Sequence, residues 1–280
     1  MTLLKAGIYT TVQDSGRFMG AHLGIPSSGP MDRQSADMAN LMLNNDKNDA
    51  LLECTFVGPT IQFHESTTIA VKGAQAKVLI NEKNIDTTYS IQIQSGDILS
   101  FGRFENGCRI YIAVAGGIQS EIVYGSRSTC ATAGILQPLK TNDQLNYTPN
   151  LQKSISSVSL KRTIGNADLI ASEGPEYWIL NQSQKEKLQN AKFKILPNSN
   201  RMAYRLSHSL ELTHNHSMLS SGTMPGTIQL TTSGEMICLM RDCQTTGGYP
   251  RILQLSENSI NDLSQLMPSQ IFTINIIEEI

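Results

Sequence analysis

Apolar residues along this chain fall mainly in short runs broken by Gly, Asn, Asp or Ser. The runs are TIQF (60–63), TIAVKG (68–73), KVLI (77–80), SIQIQ (90–94), ILSF (98–101), RIYIAVAGGI (109–118), TIQL (227–230) and EMICLM (235–240). They are rich in Ile, Val, Thr and Tyr, which pack well on a pleated surface, and turn residues punctuate them. This spacing predicts β-barrels or sandwiches rather than alternating βαβ units.

Two stretches read as helices. DRQSADMANLMLN, after Met31, brings Ala36, Met38, Ala39, Leu41, Met42 and Leu43 behind Asp32, whose carboxylate can accept the orphan N–H groups of a first turn. It is expected to pack one face on a barrel. NQSQKEKLQNAKF, around Lys185, has Glu, Lys and Gln on nearly every exposed position and reads as a solvated surface helix.

Length and composition add a division. At 280 residues the chain suggests about two domains. The stretch TPNLQKSISSVSLKRTIGNA (148–167) is poor in aromatics and rich in Ser, Thr and Asn, as in a connector, which places domains at 1–150 and 165–280. A weak echo, SGDILSF (95–101) against MPSQIFTI (267–274), puts a turn before an alternating strand in each half.

Charge is nearly balanced, 22 Lys plus Arg against 24 Asp plus Glu, so there is no electrostatic footprint for nucleic acid or an anionic membrane. Five cysteines without CxxC spacing fit neither a disulfide framework nor a zinc ribbon and read as reduced thiols. MTLLKAGIYTTVQDSGR has no long apolar core of a leader, and no run approaches the roughly 18 apolar residues of a membrane span. A soluble cytoplasmic protein is expected.

Three polar segments are the candidates for chemistry. TTVQDSGR (10–17) and GIPSSGPMD (24–32) form one, where Gly24, Pro26, Gly29 and Pro30 fix an irregular loop able to hold Ser27, Ser28 and nearby N–H groups around a ligand. By itself such a loop is more often an ordinary connection. YGSRST (124–129) offers Arg127 between Ser126 and Ser128 as a bidentate fork for a carboxylate or phosphate, although a surface ion pair is the commoner use. SNRMAYRL (199–206) repeats the theme through Arg201 and Arg205.

RDCQTTGGYP (241–250) follows the apolar EMICLM, which reads as a buried strand delivering Arg241 and Gln244 to its end. Gly247 and Gly248 let the backbone approach a ligand, and Gln244 with Thr245 and Thr246 suits an amide, urea or carboxylate. A glycine-rich hairpin is the alternative. There is no GxSxG elbow, no GxxxxGK[ST] phosphate loop and no HExxH. His214 and His216 sit in an exposed-looking THNHS turn, so no metal is assigned. Cys243 has no adjacent His to activate it and reads as packing, and Glu53 is open between a structural carboxylate and a site acid.

In order and spacing, VQDSGR, GIPSSGPMD, LLECTFVGPTIQF, YIAVAGGI, GSRST, RMAYRL, SGTMPGTIQL and RDCQTTGGYPRI resemble the allophanate hydrolase subunit 2 family, also known as the C-type subunit of 5-oxoprolinase or as biotin-dependent carboxyltransferase. The resemblance covers nearly the whole chain. Departures are Ser15, where leucine is frequent, and Cys243, where a small or uncharged residue is common.

The resemblance implies two cyclophilin-like β-barrel domains, a B-type partner protein and, in the 5-oxoprolinase arrangement, a third hydrolase subunit. That assembly opens the lactam 5-oxoproline to glutamate with ATP, and nucleotide binding is assigned to the complex. The family also holds carboxyl transfer from biotin to urea, and regulatory partnership with a kinase-inhibitor protein. From the polar segments, Arg241, Gln244 and Arg127 are nominated as catalytic. Gln13, Asp14, Ser27, Ser28, Gly29, Met31, Asp32, Thr246, Gly247, Gly248 and Tyr249 are nominated as substrate-binding. The N-terminal loop, Arg127 and RDCQTTGGYP are expected to converge on one cleft, where arginines and backbone N–H groups would stabilise developing negative charge.

Overall fold

The computed structural model describes residues 1–149, 162–208, 210–268 and 270–277. Residues 150–161 of the expected connector, and Ser269 of the expected echo, lie outside the described residues. The chain is mainly β with three helices among the described residues, and it forms two strongly curled half-barrel sheets. Contacts divide it into two compact units, Met1–Arg17 with Ser28–Ile164, and Phe18–Ser27 with Gly165–Ile280.

The first unit contains β1 (Thr2–Lys5), β2 (Tyr9–Gln13), β3 (Leu51–Thr55), β4 (Thr60–Gln62), β5 (Thr67–Ile80), β6 (Lys83–Ile85), β7 (Ile91–Ile93) and β8 (Ile98–Val114) in one sheet. β9 (Ile118–Gln119) and β10 (Asn146–Tyr147) form a separate antiparallel pair. One edge of β8 pairs with β5 from Ile69↔Val114 to Ile80↔Leu99. Its other edge takes β4 near the start and β3 near the end.

TIAVKG and KVLI therefore belong to one 14-residue strand, and ILSF and RIYIAV to one of 17 residues. The polar residues between them read as turns because they carry turn chemistry. Cross-strand pairing keeps them in the ladder by means of bulges between Gly73 and Val78. Gly73 is needed there: its φ is +105°, and a Cβ would stand 2.4 Å from the Arg109 carbonyl oxygen.

Alternation along these strands gives two cores. Leu52, Cys54, Phe63, Ile69, Val71, Ile110, Ile112 and Val114 share the larger. Ala70, Tyr111 and Ala113 face the other way and pack with Ala36, Ala39, Met42 and Leu43. That second layer is helix α1 (Arg33–Met42) with its C-cap Leu43, while Leu41 points to solvent. Asp32 caps α1 as expected, accepting from Ser35 N.

The second unit orders its main sheet as β12 (Lys194–Ile195), β13 (Ala203–Ser207), β16 (Met236–Leu239), β15 (Thr227–Leu230), β18 (Arg251–Leu255), β11 (Asp168–Glu173) and β19 (Thr273–Ile277). β14 (Ser221–Gly222) and β17 (Thr246–Gly247) pair separately. β19 runs parallel to β11, whereas the ladders of β8 are antiparallel, so the two echoed segments enter different pairings.

Helix α2 (Gln182–Gln189) has a capping box between Asn181 and Gln184 and buries only Leu188, as a solvated surface helix should. It ends before Phe193, which instead bridges Phe272. Helix α3 (Glu257–Gln265) was not expected. Its signal was available in the Ser256 N-cap and in Ile260 and Leu263, three residues apart and both buried.

Gly96 tests the Gly73 argument, because it has a similar φ of +91° with open space around its missing Cβ. Gly96→Ala is expected to cost about 1 kcal/mol of unfolding free energy, the backbone strain alone. Gly73→Ala should cost about 3 kcal/mol, because the carbonyl contact is added. Urea unfolding of the two variants reads the difference, and equal losses would remove the steric argument.

Candidate functional site

In the first unit, β2 carries Gln13 to its buried end. Gln13 Nε2 donates to Thr11 Oγ1 at 3.0 Å and to the Thr129 carbonyl at 3.2 Å. Its Oε1, equally buried, has no hydrogen-bond partner among the described residues. Asp14 organises the turn that holds Arg127. Its carboxylate accepts from Arg127 N (2.6 Å), Ser126 Oγ (2.5 Å), Ser128 Oγ (2.7 Å) and Gly16 N (3.0 Å). Arg17, fully buried, donates to the Val123 and Ser128 carbonyls and closes the turn from behind. The half-buried Arg127 side chain reaches Gln119 Oε1 at 3.1 Å.

The loop from Ser28 to Asp32 is fixed by a second set of buried polar groups. Ser28 is fully buried at φ +59°, and its Oγ has no partner among the described residues. Gly29, at φ +90°, lies so close to the 14–15 backbone that a Cβ would stand 3.2 Å from the Ser15 carbonyl oxygen. Met31 N donates to Glu53 Oε2 at 2.7 Å, Tyr111 OH donates to the same oxygen at 2.8 Å, and Asp32 N donates to Tyr111 OH at 2.8 Å.

Burial, reinforced by the carboxylates of Glu53 and Asp32, pushes the Tyr111 phenol well above its usual range, so it stays a donor. Asp32 also accepts from Ser35 Oγ at 2.6 Å and from Arg162 Nη1. Glu53, left open by the sequence, anchors this loop. Tyr111 and Arg162 carried no sequence signal, since Tyr111 lies 58 residues from Glu53 and Arg162 lies 130 from Asp32.

In the second unit the RDCQTTGGYP segment is tied down at its start and open further on. Arg241, nearly inaccessible, donates to both Glu257 oxygens (3.1 and 2.6 Å) and to Asn261 Oδ1 (3.0 Å), which fastens the segment to α3. Asp242 is gripped by Arg201, Nε to Oδ2 at 2.8 Å and Nη2 to Oδ1 at 2.9 Å, and both are buried. Arg201 thus acquires a partner, and Arg205 pairs with Glu235.

Burial, with Asp242 second, pushes the Cys243 thiol up to about 12, so it is protonated at neutral pH. Gln244 is half-buried and its carbonyl accepts from Thr223 Oγ1 at 2.6 Å. Thr246, Gly248 and Tyr249 are exposed, and Gly247 packs so closely that a Cβ would meet Gln229 Nε2 at 2.6 Å. His214 approaches the Leu230 carbonyl and His216 meets the edge of Trp178, so the two rings serve separate contacts.

The predicted residues therefore form two local groups. Gln13, Asp14, Ser28, Gly29, Met31, Asp32 and Arg127 belong to the first unit. Arg241, Gln244 and Thr246 to Tyr249 belong to the second, with which the half-buried Ser27 is also grouped. In the first group the nominated residues lie largely on backbone held by carboxylates. In the second they lie on the polar stretch after the buried Arg201–Asp242 pair and the Arg241–Glu257 pair, whose carboxylate is exposed.

Two compact β-rich units, with loops pinned by buried carboxylates, define the class of this protein; among the described residues no helix is long and apolar enough to cross a membrane. The model for the carboxyltransferase domain, subdomain A and B, matches residues 23–275. The chain belongs to that family and is a homologue of the C-type subunit of 5-oxoprolinase.

It is 34% identical to that 5-oxoprolinase component of Escherichia coli over 95% of this chain and 87% of that one. The crystal structure of TTHA0988 is similar with TM-score 0.87 and 26% identity over 99% of this chain, which spans 55% of that structure's chain. The K. lactis urea amidolyase structure is similar with TM-score 0.84 and 28% identity over 98% of this chain, which spans 18% of that enzyme.

Replacing Asp242 with alanine should cost about 3–5 kcal/mol, because it removes the carboxylate that grips the buried Arg201 guanidinium at two points. The double replacement Arg201→Met with Asp242→Leu should recover most of the loss. Urea midpoints of the three proteins read this, and an Asp242→Ala protein as stable as the parent would contradict it.

Proposed function

We propose that this chain is the C-type component of an ATP-dependent 5-oxoprolinase complex, acting with a B-type protein and a third hydrolase subunit. In this reading each compact unit is a cyclophilin-like barrel, with domains at 1–150 and 165–280. The similarity to the E. coli protein over almost the whole chain supports the reaction. The observation that carries a substrate role is the pair of buried polar atoms without partners, Gln13 Oε1 and Ser28 Oγ, both in residues nominated from sequence. Buried polar groups are nearly always satisfied, so such atoms mark where a ligand's own donors belong.

The chemistry of these atoms fits a lactam. A carboxamide oxygen accepts from a ring N–H, and a serine hydroxyl can donate to a ring carbonyl. Asp14 acts through Arg127 by holding its backbone, and Arg127 supplies positive charge where an oxyanion develops. The second unit, by itself, offers donors of the same kind in Gln244, Thr246 and the amides of Gly247 and Gly248, with Tyr249 beside them. Arg241, held by Glu257 and Asn261, positions that segment. ATP supplies activation of the amide oxygen, and its site is assigned to the complex, since this chain has no glycine-rich phosphate loop.

A second reading, biotin-dependent carboxyl transfer to urea or a similar amide, draws on the family model and the likeness to urea amidolyase. The same donors would then hold a ureido group.

The test is ATP-dependent glutamate release from 5-oxoproline by the purified chain with and without its candidate partner proteins. Release is expected only from the assembled complex. Gln13→Ala and Ser28→Ala should each lower kcat/KM by about ten- to a hundred-fold, the loss of one buried hydrogen bond. No release from any assembled complex would reject the 5-oxoprolinase reading, and unchanged kinetics in both variants would reject the substrate role.

A further inference from the structure

Arg162, Arg201, Arg205, Arg241 and Arg251 each meet a carboxylate. Arg127 is held differently. The Asp14 carboxylate takes its main-chain N–H at 2.6 Å, while the guanidinium donates from Nη2 to a neutral amide, Gln119 Oε1, at 3.1 Å. Among the described residues that guanidinium has no carboxylate partner. Of the five N–H donors of a guanidinium, Gln119 takes one, and the half-buried side chain keeps the rest available.

Gln119 was not nominated from sequence. It ends β9, where it pairs in register with Asn146, and a run of neutral hydrogen bonds orients its side chain. Its Nε2 donates to the Gly116 carbonyl at 3.1 Å, Gly116 N donates to Asn45 Oδ1 at 3.0 Å, and Asn45 Nδ2 donates to the Val114 carbonyl at 2.8 Å. Because the Gln119 nitrogen is committed to a carbonyl, its oxygen is the end that faces Arg127. The direction of the fork is thus set from the end of β8 through side chains that carry no charge.

An amide and a carboxylate would act differently at position 119. A carboxylate would accept the same hydrogen bond about twice as strongly, but it would cancel the positive charge. An amide orients the guanidinium and leaves the charge in place. That charge lies on the turn whose Thr129 carbonyl takes Gln13 Nε2 at 3.2 Å, beside residues 14–15 against which Gly29 packs. Gln13 Oε1 and Ser28 Oγ, the buried atoms without partners, are tied to this turn through Thr129 and Gly29.

We propose that Gln119 is a positioning residue, which aims the Arg127 guanidinium and leaves its charge uncancelled for an anionic group of the ligand. On the 5-oxoprolinase reading, on which this last step rests, that group is the oxygen where negative charge develops as the ring opens.

Nitrogen-15 relaxation of the arginine Nε–H groups in the full chain alone tests the aiming, with the Arg127 signal identified by Arg127→Lys. That group should be ordered on the ps–ns timescale in the parent and in Gln119→Glu, and should lose its order in Gln119→Ala. Equal order in the parent and Gln119→Ala overturns the proposal. Glutamate release by the assembled complex tests the charge. Gln119→Ala should lower kcat about ten-fold with KM within about three-fold, as for an interaction made in the transition state. Gln119→Glu should lower kcat at least about ten-fold although its guanidinium stays ordered, because the charge is cancelled. A merely structural role would leave Gln119→Glu as active as the parent, and that result also overturns the proposal. Urea midpoints check that both variants fold. Loss of order in Gln119→Ala, with no release from any parent complex, would sustain the aiming of Arg127 and reject the 5-oxoprolinase reading alone.

Discussion

A carboxylate taken out of water must be solvated by the protein, and this constraint shapes both units. Asp14, Asp32 and Glu53 together accept from four main-chain amides, those of Gly16, Arg127, Ser35 and Met31, together with serine and tyrosine hydroxyls. Asp242 meets the same need with a two-pronged arginine. An uncompensated buried charge costs several kcal/mol, so each carboxylate dictates the path of the loop that solvates it.

The consequence is that loops carry fixed geometry. The Gly/Pro loop after residue 23 reads by itself more often as an ordinary connection, yet Glu53 and Tyr111 hold Met31 and Asp32, and Gly29 brings its backbone against residues 14–15. The 126–128 turn is likewise set by Asp14 in front and Arg17 behind. Groups held this way lose little entropy on meeting a ligand, which is what preorganised binding requires.

The same logic redistributes roles among the arginines. Arg17, Arg201 and Arg241 are buried and committed to protein partners, so they shape loops. Arg127 and Arg205 are only partly covered. An arginine in a motif is therefore read by its burial before its charge, and family membership alone does not settle which of them touches substrate.

The strand-rich class, the cap of α1, the family and the loops of unusual polar density were all legible in the order of residues. These are local properties: propensity, turn chemistry and capping act within a few residues. That four short runs are two long strands was not legible, because bulged pairing across β5 and β8 overrides local turn signals. Nor was it legible that Tyr111 and Arg162 belong to the α1 face, or that Arg241 faces Glu257. Those facts depend on partners distant along the chain, and folding alone selects which charges leave water together.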